Sequence, residues 1–307
     1  MTPVKIVVRN ADGSSNECSK LLVFNLKKEA YQRYSILSAR MLVDSSAFDN
    51  ASEIRFYISG KLVHHGLIDS IKTLVNGGKQ ITTLTSRGFT SLLCQNQIEP
   101  GMKTGVSINS LMDGFYSLPY VEHEDNSDTS NYIFVKNNST MWDALANLSY
   151  KLCGTYPYVR GTNTVRITPM STPESYTYSA SDLLTMGEEF TFRRLISDFH
   201  MADINGDHGT YSLSDSDVSA RGIVRHKYFE LDRQFLYDPQ QALEYRDKYA
   251  YRGFKRSFCS YRGYNGEELS DIVTFGKIKS ARIGCVEITG SQKGVITEIS
   301  TYNDKFT

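Results

Sequence analysis

A regular alternation of side-chain character in residues 51–87 restricts the fold more than any other feature of this sequence. Apolar residues occupy every second position from Ile54 to Ile58, and polar or amphipathic residues separate them. Because successive side chains of a strand point to opposite faces, this period of two predicts strands with one buried face. Gly and Asn at 59–61 and 76–78 fit turns, since both adopt positive φ readily. The segment is predicted to be a β-meander of about four strands.

Composition favours the same class. The chain has 20 Tyr and 15 Phe but 1 Trp, and flat aromatic rings pack well on pleated sheets and at interfaces. Its 307 residues correspond to about two domains or one long all-β unit. Lys plus Arg number 34, as do Asp plus Glu. This zero balance argues against a protein whose main task is to grip nucleic acid.

The cysteines and the N-terminus bear on the compartment. The five cysteines are odd in number and form no CxxC pair, which argues against a disulfide scaffold and excludes a zinc ribbon; they are Cys18, Cys94, Cys153, Cys259 and Cys285. The start of the chain runs into a strand-like pattern at Val4–Val8 without the features of a signal peptide. Apolar runs are too short to span a membrane. We expect a soluble chain made in a reducing compartment.

Helix signals occur in three places. Residues 89–96 fit one short helix. Thr140 and Asp143 fit a capping box, and Gly154 fits the end of the helix that follows; the apolar stripe of this helix is Met141, Leu145, Leu148 and Leu152. Asp238 and Pro239 fit the start of another helix, over residues 238–253.

The order of these segments predicts a mainly β chain with an α+β insert. A strand at Tyr132–Lys136, the helix after Thr140 and a hairpin turning near Gly161 form a compact unit. A β-meander opens the chain before this unit. Another closes the chain after it, with a turn at 291–294.

Charge is segregated along the chain. Residues 198–217 carry five Asp and no Lys or Arg, whereas residues 221–262 carry ten basic and five acidic residues. Two readings stay open: solvated loops and a helix face, or surfaces that meet complementary surfaces of neighbouring subunits. The tyrosines and arginines of this stretch suit an interface, and they also suit single-stranded nucleic acid or a sugar polymer; they are Tyr245, Tyr249, Tyr251, Tyr261, Tyr264, Arg246, Arg252, Arg256 and Arg262.

Metal sites are weakly indicated. Residues 203–207 place Asp and Asn at alternate positions, as in a calcium loop, but His208 replaces the required Gly and Ser214 the bidentate Glu. An Asx-rich loop is favoured instead. His64 and His65 are adjacent on a strand and should point to opposite faces. His200 and His208 flank acidic residues, and a solvated loop is favoured over a metal site there.

Catalytic patterns are weak as well. Cys94 and Cys153 lie on predicted helices beside apolar residues, which favours inert thiols. Glu188-Glu189 and Glu267-Glu268 are adjacent pairs rather than carboxylates placed across a cleft. We therefore predict no enzyme, and we name no catalytic, cofactor-binding or metal-binding residue and no cofactor.

Several segments, in this order, resemble baseplate hub proteins of contractile-tailed bacteriophages, the late control protein D group, which is related to phage-tail-like injection machines. The matching segments are Gly60–Val63, Gly66–Ser70, Ser86–Thr90 with Leu93, Asn138–Leu145 with Gly154, Tyr158–Arg160, and Gly290–Thr297. The resemblance covers most of the chain loosely. No extension for a spike or a lytic domain is seen, so a separate spike protein would be needed.

This resemblance implies a homotrimer with two tail-tube-like β-barrel domains per subunit. The first barrel, with a short helix, would comprise residues 1–98. The α+β insert would comprise residues 99–172, and the second barrel, with the helix 238–253, residues 173–307. Three subunits would then offer six similar domains, which would convert a six-fold tube into a three-fold spike.

The implied function is that of a structural virion protein of the tail baseplate, made in the host bacterial cytoplasm and lining the tail channel. The implied partners are further copies of the chain, the tail tube protein, the central spike protein, other baseplate proteins and the tape measure protein. DNA would only pass through the lumen, and no membrane insertion is expected. The alternatives are a cell-wall or glycan-binding tail module and, less favoured, a peptidoglycan hydrolase.

Overall fold

The computed structural model describes residues 2–18, 20–43, 48, 50–114, 117–231, 238–291 and 293–306. Strands account for 49% of the structure and helices for 15%, which confirms the prediction of a mainly β fold. None of the helices in these described ranges is both long enough and apolar enough to cross a bilayer.

The first seven strands form one half of a large sheet. They follow the chain as β1 (Val4–Asn10), β2 (Ser15–Cys18), β3 (Leu21–Glu29), β4 (Ile36–Met41), β5 (Ala51–Ile58), β6 (Lys61–Asn76) and β7 (Lys79–Gly88). Their spatial order is β3-β4-β7-β6-β5-β1-β2. The alternation in residues 51–87 thus gives three strands where about four were predicted. The second and third predicted strands, at 62–70 and 71–75, are one strand, β6, and a register shift between Ile68 and Ser70 absorbs the irregularity in the pattern.

The other half comes from the end of the chain. Its strands are β13 (Ser175–Tyr178), β14 (Leu183–Phe190), β18 (Lys255–Arg262), β19 (Ile272–Phe275), β20 (Ile278–Ser291) and β21 (Gly294–Asn303). The order β14-β18-β21-β20 continues directly into β3, while β13 and β19 branch from β20, so a single 13-stranded sheet contains both halves. The predicted turn at 291–294 contains Gln292, which lies outside the described residues.

The segment between the halves contains both helices and short strands, and it includes the range 99–172 that was predicted as an α+β insert. It contains a 3₁₀ turn at Phe89–Ser91, α1 (Leu92–Gln95), β8 (Gly101–Val106), α2 (Ile108–Asp113), β9 (Glu122–His123), β10 (Ser130–Val135), α3 (Met141–Cys153), β11 (Tyr158–Arg160) and β12 (Thr164–Arg166). The capping box of α3 is present as predicted, and Gly154 ends the helix in the left-handed conformation. Trp142 and Leu145 are fully buried in the core of this unit.

A second small unit, which was not predicted from the sequence, lies between β14 and β18. It contains β15 (Asp198–Met201), β16 (Tyr211–Ser214), α4 (Ser216–Ser219), β17 (His226–Phe229) and α5 (Pro239–Tyr251). The three strands form a separate sheet, and α5, which was predicted over 238–253, packs against it through Ala242 and Leu243. Residues 232–237, just before this helix, lie outside the described part.

The main core lies on one face of the large sheet and is shared by its two halves. Ile6, Phe24 and Phe56 from the first half and Ile288 and Ile299 from the second belong to one buried cluster. Burying apolar side chains from both ends of the chain in one core makes the two halves mutually dependent for stability.

Candidate assembly surfaces and the joint between the sheet halves

The two halves of the sheet meet at a seam between β3 and β20. The strands pair antiparallel in register from Val23 opposite Ser291 to Glu29 opposite Cys285. Gly290 lies against the ring of Phe24, and a Cβ at that position would come within 2.0 Å of the ring. A glycine therefore lets the two strands approach while the aromatic ring stays in the core.

Lys28 places a cation on the buried face of this seam. The positions 24, 26 and 28 of β3 are all buried, so Lys28 continues the core-facing series. Its Nζ lies 2.7 Å from Oε1 of Glu268 and donates to the carbonyl of Gly161 at 2.8 Å. Since burying a charge is costly unless it is paired, this ammonium group stays buried because it has two acceptors. It connects β3, the loop 263–271 and the β11–β12 hairpin.

A second ion pair connects the insert to the same loop. Arg160 Nη2 donates to Oδ1 of Asp271 at 2.8 Å, and Nη1 donates to the carbonyl of Leu269 at 2.5 Å. The other oxygen of Asp271 accepts from the backbone amide of Glu268 at 3.0 Å. Asp271 is 1% exposed. The two ion pairs, Lys28–Glu268 and Arg160–Asp271, form what we call the polar joint between the halves and the insert.

Glu267 is also buried in this loop. The hydroxyl groups of Tyr178 and Tyr261 both donate to its Oε1, and their rings are stacked with centroids 4.7 Å apart. Burial, together with the adjacent Glu267 carboxylate, raises the pKa of both phenols. Both tyrosines therefore remain hydrogen-bond donors at neutral pH, and they hold the loop on the second half of the sheet.

The tyrosine-rich stretch 245–264 packs largely inside the chain. Tyr251 and Tyr261 are buried, so its interpretation as an exposed interface is wrong for these two residues. Tyr245 and Tyr249 join an aromatic cluster that includes Tyr150, Tyr156 and Phe306. The guanidinium of Arg252 lies 3.5 Å from the ring centroid of Tyr249. These rings mainly connect α5 to α3 and to the end of the chain.

The two adjacent histidines have different partners. The ring nitrogens of His64 lie 2.8 Å from the hydroxyl oxygens of Ser35 and Ser86, whereas His65 contacts Glu53 at 2.8 Å. The prediction that they point to opposite faces agrees with these contacts. Burial lowers the pKa of His64 to about 3, so its ring is neutral in the folded protein.

The calcium-like segment is an Asx-rich loop, as favoured from the sequence. Oδ1 of Asp203 accepts hydrogen bonds from the backbone amides of Asn205, at 2.8 Å, and Asp207, at 2.9 Å. Backbone amides of the loop thus occupy Oδ1 of Asp203, the oxygen that would have been a calcium ligand. Within the described ranges, no group of three or more His, Cys, Asp or Glu side chains could hold a metal ion.

The remaining candidate residues fall into two places: His200 and His208 share contacts with one tyrosine ring, and the two candidate cysteines lie on helices of the segment between the sheet halves. His200 stacks on His226 and Tyr228, while His208 lies edge-on to Tyr228. Cys94 and Cys153 lie on α1 and α3, half-buried. Burial raises the pKa of both thiols, which disfavours the reactive thiolate.

Three strands of the large sheet lie at its edges. In the described part of the chain, β14 pairs with β18 alone, β2 with β1 alone and β13 with β19 alone. Along β14 the apolar residues Leu184, Met186 and Phe190 are exposed. The β6–β7 hairpin extends beyond its neighbours and exposes Val75 near its tip. Unpaired strand edges and exposed apolar hairpins are surfaces on which further chains can add.

Comparison with solved structures identifies the fold. The structure matches a tail protein from Neisseria meningitidis MC58 with a TM-score of 0.72 at 14% identity, covering 99% of this chain and 97% of that one. It matches the 43 kDa tail protein of prophage MuSo2 from Shewanella oneidensis with a TM-score of 0.71 at 13% identity, covering 98% of each chain. The chain has the fold of phage tail proteins. The resemblance to tail hub proteins is confirmed at this level.

A more distant match extends the comparison to secretion machinery. The E. coli c3393 protein, a component of the type VI secretion system described as similar to the T4 tail proteins gp27 and gp5, has a TM-score of 0.54 at 6% identity, covering 92% of this chain and 74% of that one. No protein-family model and no curated protein matches the sequence. The likeness therefore lies in the fold and not in detectable sequence similarity.

The polar joint is the feature that sequence reasoning missed. Lys28 carried a signal, because it follows Phe24 and Leu26 at the same period of two and so was due to face the core. Glu267 and Glu268 were seen only as an adjacent pair. Their partners are far away in sequence, and no local pattern could assign them.

Proposed function

We propose that this chain is a structural virion protein, the trimeric hub of a tail baseplate, which joins a six-fold tail tube to a three-fold central spike and lines the tail channel. The observation that carries the proposal is the likeness to two tail proteins over nearly the full length of both chains. Full coverage supports a shared domain organisation, and function is inferred from it by analogy of fold.

The arrangement of the large sheet supports this role. Seven strands lie on one side of the β3–β20 seam and six on the other. If each set forms a tail-tube-like barrel, as proposed for residues 1–98 and 173–307, three copies supply six such barrels. The polar joint would hold the two barrels of one subunit in a fixed relation. A hub needs this rigidity, because it must match a six-fold ring with a three-fold assembly.

The proposed partners follow from the open surfaces. The exposed edge of β14 and the projecting β6–β7 hairpin would meet neighbouring copies, the tail tube protein or the central spike protein. Other baseplate proteins and the tape measure protein complete the set, and DNA would only pass through. The zero net charge suits a lumen that must release DNA. The role is assembly rather than catalysis, and the protein would be located in the virion.

Native mass spectrometry and imaging of tails test this proposal. At micromolar concentration we expect a species of three times 34.7 kDa, and antibody labelling of purified particles should mark the end of the tail. A strictly monomeric protein that is absent from purified particles would refute it. Clearing of peptidoglycan in a zymogram would support the hydrolase alternative instead, and specific retention on peptidoglycan would support the glycan-binding alternative.

A further inference from the structure

An open groove runs between the insert and the second half of the sheet. Its volume is about 610 Å³, and Tyr31, Tyr156, Tyr302 and Phe306 contribute to its largely apolar lining. None of its described lining residues comes from the small unit between β14 and β18. The described residues of the small unit therefore do not fill the groove of their own chain.

The rim of this groove is cationic. Four basic residues line it and, among the described residues, no Asp or Glu does; they are Lys255, Lys277, Lys279 and Arg282. Lys255 is paired with Glu188 at 3.0 Å. Arg282 donates to the carbonyl of Ser270 at 3.0 Å, and no carboxylate of the described residues forms a salt bridge with it. Lys277 and Lys279 are exposed. An apolar body carrying acidic groups would be complementary to both the lining and the rim.

The same chain carries a segment of that composition. Ile204 is 88% exposed, the highest value among the exposed large apolar residues of the described part, and Asp203 and Asp207 flank it. The loop is held in shape by its own hydrogen bonds: the Asp203 amide donates to the Asp207 carbonyl at 2.8 Å, and the Asp203 carboxylate accepts the two amides described above. A preformed loop loses little conformational freedom on binding.

We propose that loop 203–207 of one copy docks in the groove of the next copy, with Ile204 on the aromatic lining and the two aspartates near Lys277 and Lys279. The inference deepens the proposed trimer and rests on its self-association. The contact joins different surfaces of the two copies, so it is heterologous, and such contacts close into rings when the rotation between copies is a whole fraction of a turn. The contact would also bring the acidic segment 198–217 of one copy close to the basic rim of the groove in the next copy.

Dilution series by mass photometry and sedimentation test this contact on the full chain. Ile204→Lys should raise the dissociation constant of the oligomer at least about tenfold, as expected for an interface anchor. The double reversal Lys277→Glu/Lys279→Glu should act in the same direction. Adding Asp207→Lys to this double reversal should recover several-fold of the affinity that the reversal loses, because lysine would then face glutamate. Circular dichroism melting shows that each variant is folded.

Matched controls are Val224→Lys, on the same small unit and 76% exposed, and Lys293→Glu, an exposed lysine outside the groove. Both should leave the dissociation constant within about twofold. The docking inference is overturned if Ile204→Lys behaves as Val224→Lys does, or if adding Asp207→Lys to the double reversal weakens association further. In those cases the wild-type trimer, and with it the hub proposal, would stand. A wild-type chain that is monomeric throughout the dilution series would overturn the docking inference, and its absence from purified particles as well would refute the hub proposal.

Discussion

Removing the buried ammonium group of the polar joint should cost more stability than any exposed ion pair of this protein. The change is Lys28→Met, which keeps most of the side-chain volume while deleting the charge. Lys28 is 4% exposed, and the side chain of its partner Glu268 is 9% exposed. The substitution leaves that carboxylate buried without its cation and leaves the Gly161 carbonyl without this donor.

The size of the expected stability loss follows from the hydrogen bonds that the Glu268 carboxylate retains without Lys28. Its Oε2 has no hydrogen-bond partner within the described residues, so Lys28 supplies the only side-chain contact that offsets burial of the charge. Breaking one side of a buried ion pair costs about 3–5 kcal/mol, whereas replacing both sides with neutral groups costs far less. We therefore expect Lys28→Met to lower the free energy of unfolding by about 4 kcal/mol. In Lys28→Met/Glu268→Gln about half of that loss should be recovered.

Urea unfolding followed by fluorescence at pH 7 and at a single protein concentration measures both values. The matched control is Lys5→Met, which makes the same substitution in the exposed Lys5–Glu17 pair, whose side chains are 48% and 54% exposed. That pair should contribute less than about 1 kcal/mol. Equal losses for Lys28→Met and Lys5→Met, or a double variant whose loss is the sum of its parts, would refute the account of the joint.

Three further predictions concern other positions. Burial lowers the pKa of His64 to about 3, so on acidification the unfolded chain binds this proton before the folded chain does. Between pH 7 and pH 5 the free energy of unfolding, measured in urea, should fall by about 2 kcal/mol more in the wild type than in His64→Gln. The same pH dependence in both proteins would contradict this. Gly290→Ala should cost about 1–3 kcal/mol because its Cβ meets the Phe24 ring at the seam, while Gly209→Ala in an exposed loop costs less; thermal melts compare them, and equal melting temperatures would count against the close approach. Thr140→Ala removes a side-chain acceptor at the start of α3 and should cost about 1 kcal/mol; an unchanged unfolding midpoint would show that the cap is dispensable.

Local signals predicted local elements well. The capping box before α3 and the glycine after it placed that helix within one residue, because both features act on neighbouring backbone groups. Pro239 marked the first residue of α5 in the same way. The alternation near Ile54 identified β5, although it did not reveal that β6 continues through a bulge.

Long-range pairing was the part that local patterns could not predict. Tyr261 was predicted to suit an interface, but its contacts with Glu267 and Tyr178 bury it. Tyr178 is distant in the chain, so no local pattern could reveal this burial. The small unit around β15 was missed for a related reason. Its strands are four residues long, too short for a period of two to stand out from loop composition.

The amino-acid sequence by itself determined that this chain is mainly β, where its principal helices start and stop, and that its charges cancel, because each of these depends on residue types and their spacing alone. Only the tertiary structure decided that the two ends of the chain share one sheet and one core, that Lys28 and Glu268 meet 2.7 Å apart, and that Ile204 is left in solvent. The physical reason is that strand partners and buried charge pairs are selected by the free energy of the whole packed molecule, in which residues hundreds of positions apart become neighbours.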